Sequence, residues 1–140
     1  MSVNYSDLIE KKACNALLTN AKPDFTTSYL VAAAAGAFQV VAIASVIDGF
    51  NKAMGGVWVG GSAYLTKSKI AFFPNKMNAA LHNKDVGVEI PLSDMTSVKR
   101  EFGMVTGKIA ITTATGTLKI RVFNAAGFAE RINSQVKQTS

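Results

Sequence analysis

The side chains that could do covalent or acid–base chemistry in this chain are few and isolated. Cys14 is the only cysteine and His82 the only histidine among 140 residues. A thiol nucleophile needs a base beside it, and a serine nucleophile needs an imidazole oriented by a carboxylate. With one residue of each kind, either scheme hangs on a single side chain. The nine carboxylates are scattered, with no pair at a spacing suggestive of general acid–base catalysis. A metal site needs several ligands at suitable intervals, and none are present. Gly55-Gly56 and Gly60-Gly61 lack the Lys-Ser/Thr ending of a phosphate loop and the dinucleotide spacing, so they read as glycines for sharp β turns. The expectation is a non-enzymatic protein with no catalytic residue, no metal and no cofactor. A single cysteine also excludes an intrachain disulfide and gives no sign of an oxidising compartment, which points to the cytoplasm.

Charge is the remaining lead. The net charge is +6, and it is unevenly placed. Residues 1–65 carry four basic and four acidic side chains, whereas residues 66–140 carry 11 basic and five acidic. A basic surface attracts anionic lipid headgroups, nucleic acid or acidic proteins, and it is equally an ordinary solvated face. Nucleic acid is not expected. The basic residues are dispersed, with no run longer than a pair such as Lys99-Arg100. The aromatics fall on expected core faces rather than on exposed stacking platforms.

The elements that must position these residues are mostly strands. The length suits one domain, and 49% apolar residues with only 17% charged suffice for a core. A helix is expected over residues 5–18, with Ile9, Ala13, Ala16 and Leu17 on one face and Asn4 or Ser6 as its cap. Lys22-Pro23-Asp24 breaks it. Residues 25–47 form the longest uncharged run, and 29–47 are just long enough to cross a bilayer as a helix. Three readings stand for this run: a membrane-inserted helix with Ala33, Gly36 and Ala37 suited to close packing, a secretory signal, or two buried elements. Composition favours the last, with a helix over 30–37 and a strand over 40–47.

From Val57 onward the signal is β. Residues 57–75 read as strand, Lys67-Ser68 turn and strand, ended by Pro74-Asn75. Val86, Val88, Ile90 and Leu92 alternate with Gly87, Glu89 and Pro91. Residues 96–102, 108–113 and 117–123 are further strands, the last two joined by the turn 114–116. Leu118, Ile120 and Val122 then point inward, and Lys119 and Arg121 outward. A closing helix over 125–137, capped by Asn124, carries Phe128, Ala129, Ile132 and Val136 as its buried stripe. Counting 39–50 as the first, about seven strands precede this helix.

Gly60-Gly61, Tyr64-Leu65-Thr66, Ile70 with Phe72, Asn78, Ile90-Pro91-Leu92-Ser93-Asp94 with Val98, and the final helix occur in an order that resembles GRAM domains and bacterial pleckstrin-homology-like domains. The resemblance covers about residues 60–136. It implies a mainly β (α+β) fold, a seven-stranded antiparallel barrel plugged by the C-terminal helix. The expected division is an N-terminal helical and apolar extension over 1–38 and a PH/GRAM-like domain over 39–137. An alternative puts the first strand at 14–22, which makes the apolar run a long insertion between strands one and two. The chain also departs from the family in offering Phe128 where a tryptophan is frequent.

The resemblance further implies that three loops meet at the open end of the barrel, here 50–56, 74–84 and 114–116. They supply Lys52, Lys76 and Lys84 as lipid- or anion-binding residues and Phe50, Met54 and Met77 as membrane-contacting inserts. Three lysines give weak, reversible attachment to an anionic membrane surface. The second expectation is a protein-interaction or self-associating scaffold, using Lys119 and Arg121 for a partner and the segment 32–37 for a homo-oligomer. The localisation expected is cytoplasmic, with peripheral membrane association.

Overall fold

A computed structural model of the chain describes residues 7–34, 37–40, 44–75, 85–103 and 106–139. The described residues are mainly β, an antiparallel sheet with a C-terminal helix. The chain opens with β1 (Leu8–Thr19), then α1 (Pro23–Tyr29), β2 (Leu30–Ala34), β3 (Ala37–Val40) and α2 (Ala44–Met54). A meander of β4 (Val59–Thr66), β5 (Lys69–Pro74) and β6 (Asp85–Pro91) follows. A 3-10 turn, Leu92–Asp94, leads to β7 (Met95–Glu101), β8 (Gly107–Thr113), β9 (Gly116–Val122) and α3 (Ala125–Thr139).

The strands lie in the order β3-β2-β6-β5-β4-β1-β9-β8-β7. β6 and β7 are six places apart in that order yet only three residues apart in the chain. Six strand spacings in a flat sheet span about 29 Å, whereas so short a link reaches only about 14 Å. The sheet must therefore curl back on itself. The Tyr29 hydroxyl, just before β2, donates to Asp94 Oδ2, just before β7, at 2.9 Å. That bond joins two strands far apart in the sheet order.

β1 corrects the expected N-terminal helix. The segment is an interior strand, with Lys11 opposite Tyr64 of β4 and Ala16 opposite both Val59 and Ile120 of β9. Its inward residues are Cys14, Ala16 and Leu18, a period of two that the helical reading of Ala13, Ala16 and Leu17 missed. The apolar run is corrected as well. Residues 30–34 and 37–40 form a hairpin that pairs through β2 with β6, where an alanine-rich helix was expected. The β-branched stretch leads instead into helix α2, which contributes Ile47, Phe50 and Met54 to the core. Ladder pairing outweighs the few tenths of a kcal/mol per residue by which alanine favours helix.

From β4 onward the elements fall close to their expected positions. Gly61 shows why small residues sit in the hairpin: a Cβ there would lie 2.3 Å from the Phe73 carbonyl oxygen and 2.8 Å from the Phe72 ring. Thr66 Oγ1 closes the β4–β5 turn by accepting from the amides of Ser68 and Lys69, at 3.2 and 3.1 Å. One continuous core takes in Leu65, Phe72, Ile90, Ile111, Ile120 and Phe128. α3 packs at one side, tied to β1 by a two-pronged ion pair of Arg131 with Glu10, whose Nη2–Oε2 arm is 2.9 Å. On the opposite face of the sheet, Val31, Tyr64, Ala71 and Phe73 form a second small cluster.

Candidate functional site

The strand alternation of β9 decides which cations reach solvent. Leu118, Ile120 and Val122 face the core, so Lys119 and Arg121 project from the outer side, as their spacing predicts. Ladder register then sets Glu101, Lys108, Arg121, Asn15 and Gly60 side by side across five strands. The next row carries Lys99, Ala110, Lys119 and Leu17. Glu101 is the one carboxylate in these two rows, and the Lys119 ammonium takes it, 3.3 Å from Oε1 and 3.5 Å from Oε2.

Arg121 is held differently. Its guanidinium carbon sits 4.6 Å from the centroid of the Trp58 ring. Cation and indole attract through the ring quadrupole, which holds the guanidinium beside the ring. Among the described residues Arg121 has no carboxylate partner. It lines a cleft of about 370 Å³ together with Asn15, Gly60, Asn75, Thr106 and Phe123. Phe123 is 65% exposed. The arrangement offers one fixed cation, two amides, a hydroxyl and an apolar rim, which suits noncovalent recognition of an anionic group.

The Cys14 thiol also borders this cleft. Burial pushes its pKa up to about 12, partly offset by a backbone hydrogen bond from Ala63. A thiol held neutral in this way is a poor nucleophile at ordinary pH. Tyr29 is shifted upward too, first by burial and then by its hydrogen bond to the Asp94 carboxylate.

The expected open-end site is corrected in two of its members. Phe50 and Met54 are fully buried on α2, facing the core, because they fall on the same helical face as Ile47. They cannot contact a membrane in this state. Lys52 projects from the opposite side of that helix and forms an exposed pair with Asp48 at 3.1 Å. Lys76, Met77 and Lys84 lie outside the described residues, as do His82, Asn78 and residues 35 and 36 of the proposed self-association segment. At this end α1 fills the core: Phe25 is fully buried, packs edge-to-face on Tyr29 at 5.1 Å, and backs onto Gly116 of the β8–β9 turn. The Lys22 amide donates to the Thr115 carbonyl at 2.8 Å, fastening α1 to that turn. A second cavity of about 480 Å³ lies between α1 and α2, lined by Leu18, Asn20, Lys22, Thr27, Ile47 and Asn51.

Among the described residues no group of three metal-ligating side chains converges, and no helix is long and apolar enough to cross a membrane. No protein-family model matches the chain, and no curated protein matches it. Sequence reasoning singled out Arg121 and Lys119 but missed Trp58, Asn15, Asn75, Thr106 and Phe123. The one available signal was Trp58, the only tryptophan, sitting just before Gly60-Gly61. Its partner lies 63 residues away, so only the β1-centred pairing brings the two together.

Proposed function

We propose that this chain is a non-enzymatic, pleckstrin-homology-like binding module that engages an acidic protein segment through the outward face of β8, β9 and β1. Support for the barrel comes from connectivity. Setting aside β2 and β3, seven strands run β6-β5-β4-β1-β9-β8-β7, and the short β6–β7 link draws the two ends together. This connectivity supports the seven-stranded barrel with a C-terminal helix that the sequence resemblance implies. It corresponds to the alternative in which α1, β2, β3 and α2 are an insertion between the first two barrel strands. A single cysteine, which can form no intrachain disulfide, fits work in the cytoplasm.

The observation that carries the binding reading is charge on one face. Lys99, Lys108, Lys119 and Arg121 stand in adjacent rows against the single carboxylate Glu101. Such a face attracts and orients an acidic partner, and does so less as salt rises. Trp58 reports on it without labelling. A glutamate-rich peptide is expected to shift Trp58 emission, with affinity falling several-fold between about 50 and 200 mM salt. The pair Lys108→Glu and Lys119→Glu is expected to weaken binding at least about tenfold, roughly 1.4 kcal/mol. Unchanged emission at about millimolar peptide, or binding indifferent to the charge reversals, overturns the reading.

A second reading, weak association with an anionic membrane surface, is favoured by one feature of α2 and the link that follows it. Lys52 and Val57, the latter 61% exposed, stand close together in the chain at the end of α2 and in the link to β4. Sedimentation with phosphatidylserine-containing vesicles, lost in Lys52→Glu, is the result this reading requires. A protein that ignores such vesicles refutes it.

A further inference from the structure

Arg121 is the cation on this surface that an aromatic ring holds while no carboxylate among the described residues pairs with it. A guanidinium carries five N–H donors in a planar fork. Its central carbon lies 4.6 Å from the Trp58 ring centroid, a contact that uses none of those donors in a carboxylate pair. Among the described residues no carboxylate meets them. The cleft beside it holds the Asn15 and Asn75 amides and the Thr106 hydroxyl, neutral groups able to donate to the same anion. On its rim stands the Phe123 ring, exposed where most large apolar side chains of this protein are buried. The cleft volume of about 370 Å³ fits one or two side chains.

We propose that this cleft is a side-chain receptor for an acidic peptide, in which Arg121 takes a carboxylate through its two-pronged edge and a neighbouring apolar side chain packs on Phe123. The assignment rests on the acidic-partner reading above and narrows it to a carboxylate joined to an apolar body. Trp58 serves as the positioning residue, since a guanidinium already held against the indole loses less freedom on binding. Gly60 keeps the floor open, because a Cβ there would lie 3.2 Å from Asn15 Oδ1.

The test is a nuclear magnetic resonance titration of the full chain with an acetylated, amidated phenylalanyl-glutamate dipeptide and its glutamine isostere. The glutamate form is expected to shift the Gly60, Asn75 and Thr106 amides and the Trp58 indole, with a Kd of about 1 mM. The isostere is expected to bind at least about tenfold more weakly, since charge assistance roughly doubles such a bond. Arg121→Gln is expected to lose at least about tenfold, and Gly60→Val to abolish binding with the cation left in place. Urea melts establish that both variants fold.

No shift at those amides up to about 20 mM dipeptide overturns the proposal. Equal binding of the two dipeptides overturns it as well, as does inorganic phosphate shifting the same amides as strongly. If glutamate-rich peptides bind through Lys108 and Lys119 but are indifferent to Arg121→Gln and Gly60→Val, the cleft assignment falls and the wider reading stands. If no acidic peptide binds at all, both fall.

Discussion

Replacing Phe25 with alanine tests whether α1 is a structural plug or a peripheral attachment. The ring is fully buried, contacts Tyr29 edge-to-face at 5.1 Å, and lies against Gly116, where a Cβ would come within 2.9 Å of it. Its removal forfeits the transfer of an aromatic ring from water and leaves a void. Gly116 has no side chain with which to fill it. Buried phenylalanine-to-alanine changes of this type cost about 3–5 kcal/mol, to which the lost ring pair contributes about 0.5–1.5. The expected loss is about 4 kcal/mol. For a chain of this size that lowers Tm by about 8–16 °C. At an m-value of about 2 kcal/mol/M, it also moves the urea midpoint by about 2 M. Unfolding would be followed by Trp58 fluorescence and by circular dichroism, with Phe102→Ala and Phe123→Ala as controls. Those rings are 79% and 65% exposed, and their removal is expected to change stability by less than about 0.5 kcal/mol. A loss below about 1 kcal/mol for Phe25→Ala would refute the plug. If that variant instead kept its stability and lost vesicle binding, α1 would be a membrane-contacting attachment.

Three further outcomes follow from the same geometry. Because the folded Cys14 thiol stays protonated to about 12 while an unfolded one titrates at 9.0, its stability contribution is complete below pH 9 and declines as pH rises toward 12. The slope is roughly 1 kcal/mol per pH unit; urea melts across that window should show it, and Cys14→Ala should flatten it. Gly61→Ala is expected to cost about 3 kcal/mol by forcing a methyl onto the Phe73 carbonyl, whereas Gly56→Ala, whose Cβ would meet nothing nearer than 3.9 Å, should be close to neutral; equal effects in denaturation would count against the packing account. Arg131→Met breaks the pair with Glu10 at the β1–α3 contact and is expected to cost about 1 kcal/mol at low salt and less at high salt, so a salt-independent loss would reassign the effect to packing.

Much of the second half was legible because its signals are local. The alternation of Leu118, Ile120 and Val122 with Lys119 and Arg121 sets inside from outside with no reference to a partner strand. The Lys67-Ser68 turn, and Asn124 ahead of the apolar stripe of α3, mark their own boundaries; the Asn124 side chain accepts from the Gly127 amide at 3.4 Å. The candidate site was half legible. Arg121 and Lys119 could be placed on an outer face, but the cleft needs Asn15 from β1, Gly60 from β4 and Thr106 from the approach to β8, which only long-range pairing assembles.

By itself, the sequence determined a mainly β chain with a basic second half, a C-terminal helix and no evident catalytic set, because composition and short-period patterning need only neighbours in the chain. Tertiary structure alone decided residues 7–34, 37–40 and 44–54. Leu8–Thr19 has helical and strand faces of comparable apolarity, and it became a strand because β4 and β9 each offer it a ladder. For the apolar run, composition favoured a core over a span or a signal but assigned its helix and strand the wrong way round. Its outcome was set by the unpaired edge of β6, which took β2, and by the open end of the curled sheet, which took Phe25 and Tyr29. Phe50 and Met54 went inward for the same reason. A large apolar side chain settles where it loses the most water, and that place exists only once distant strands have closed around it.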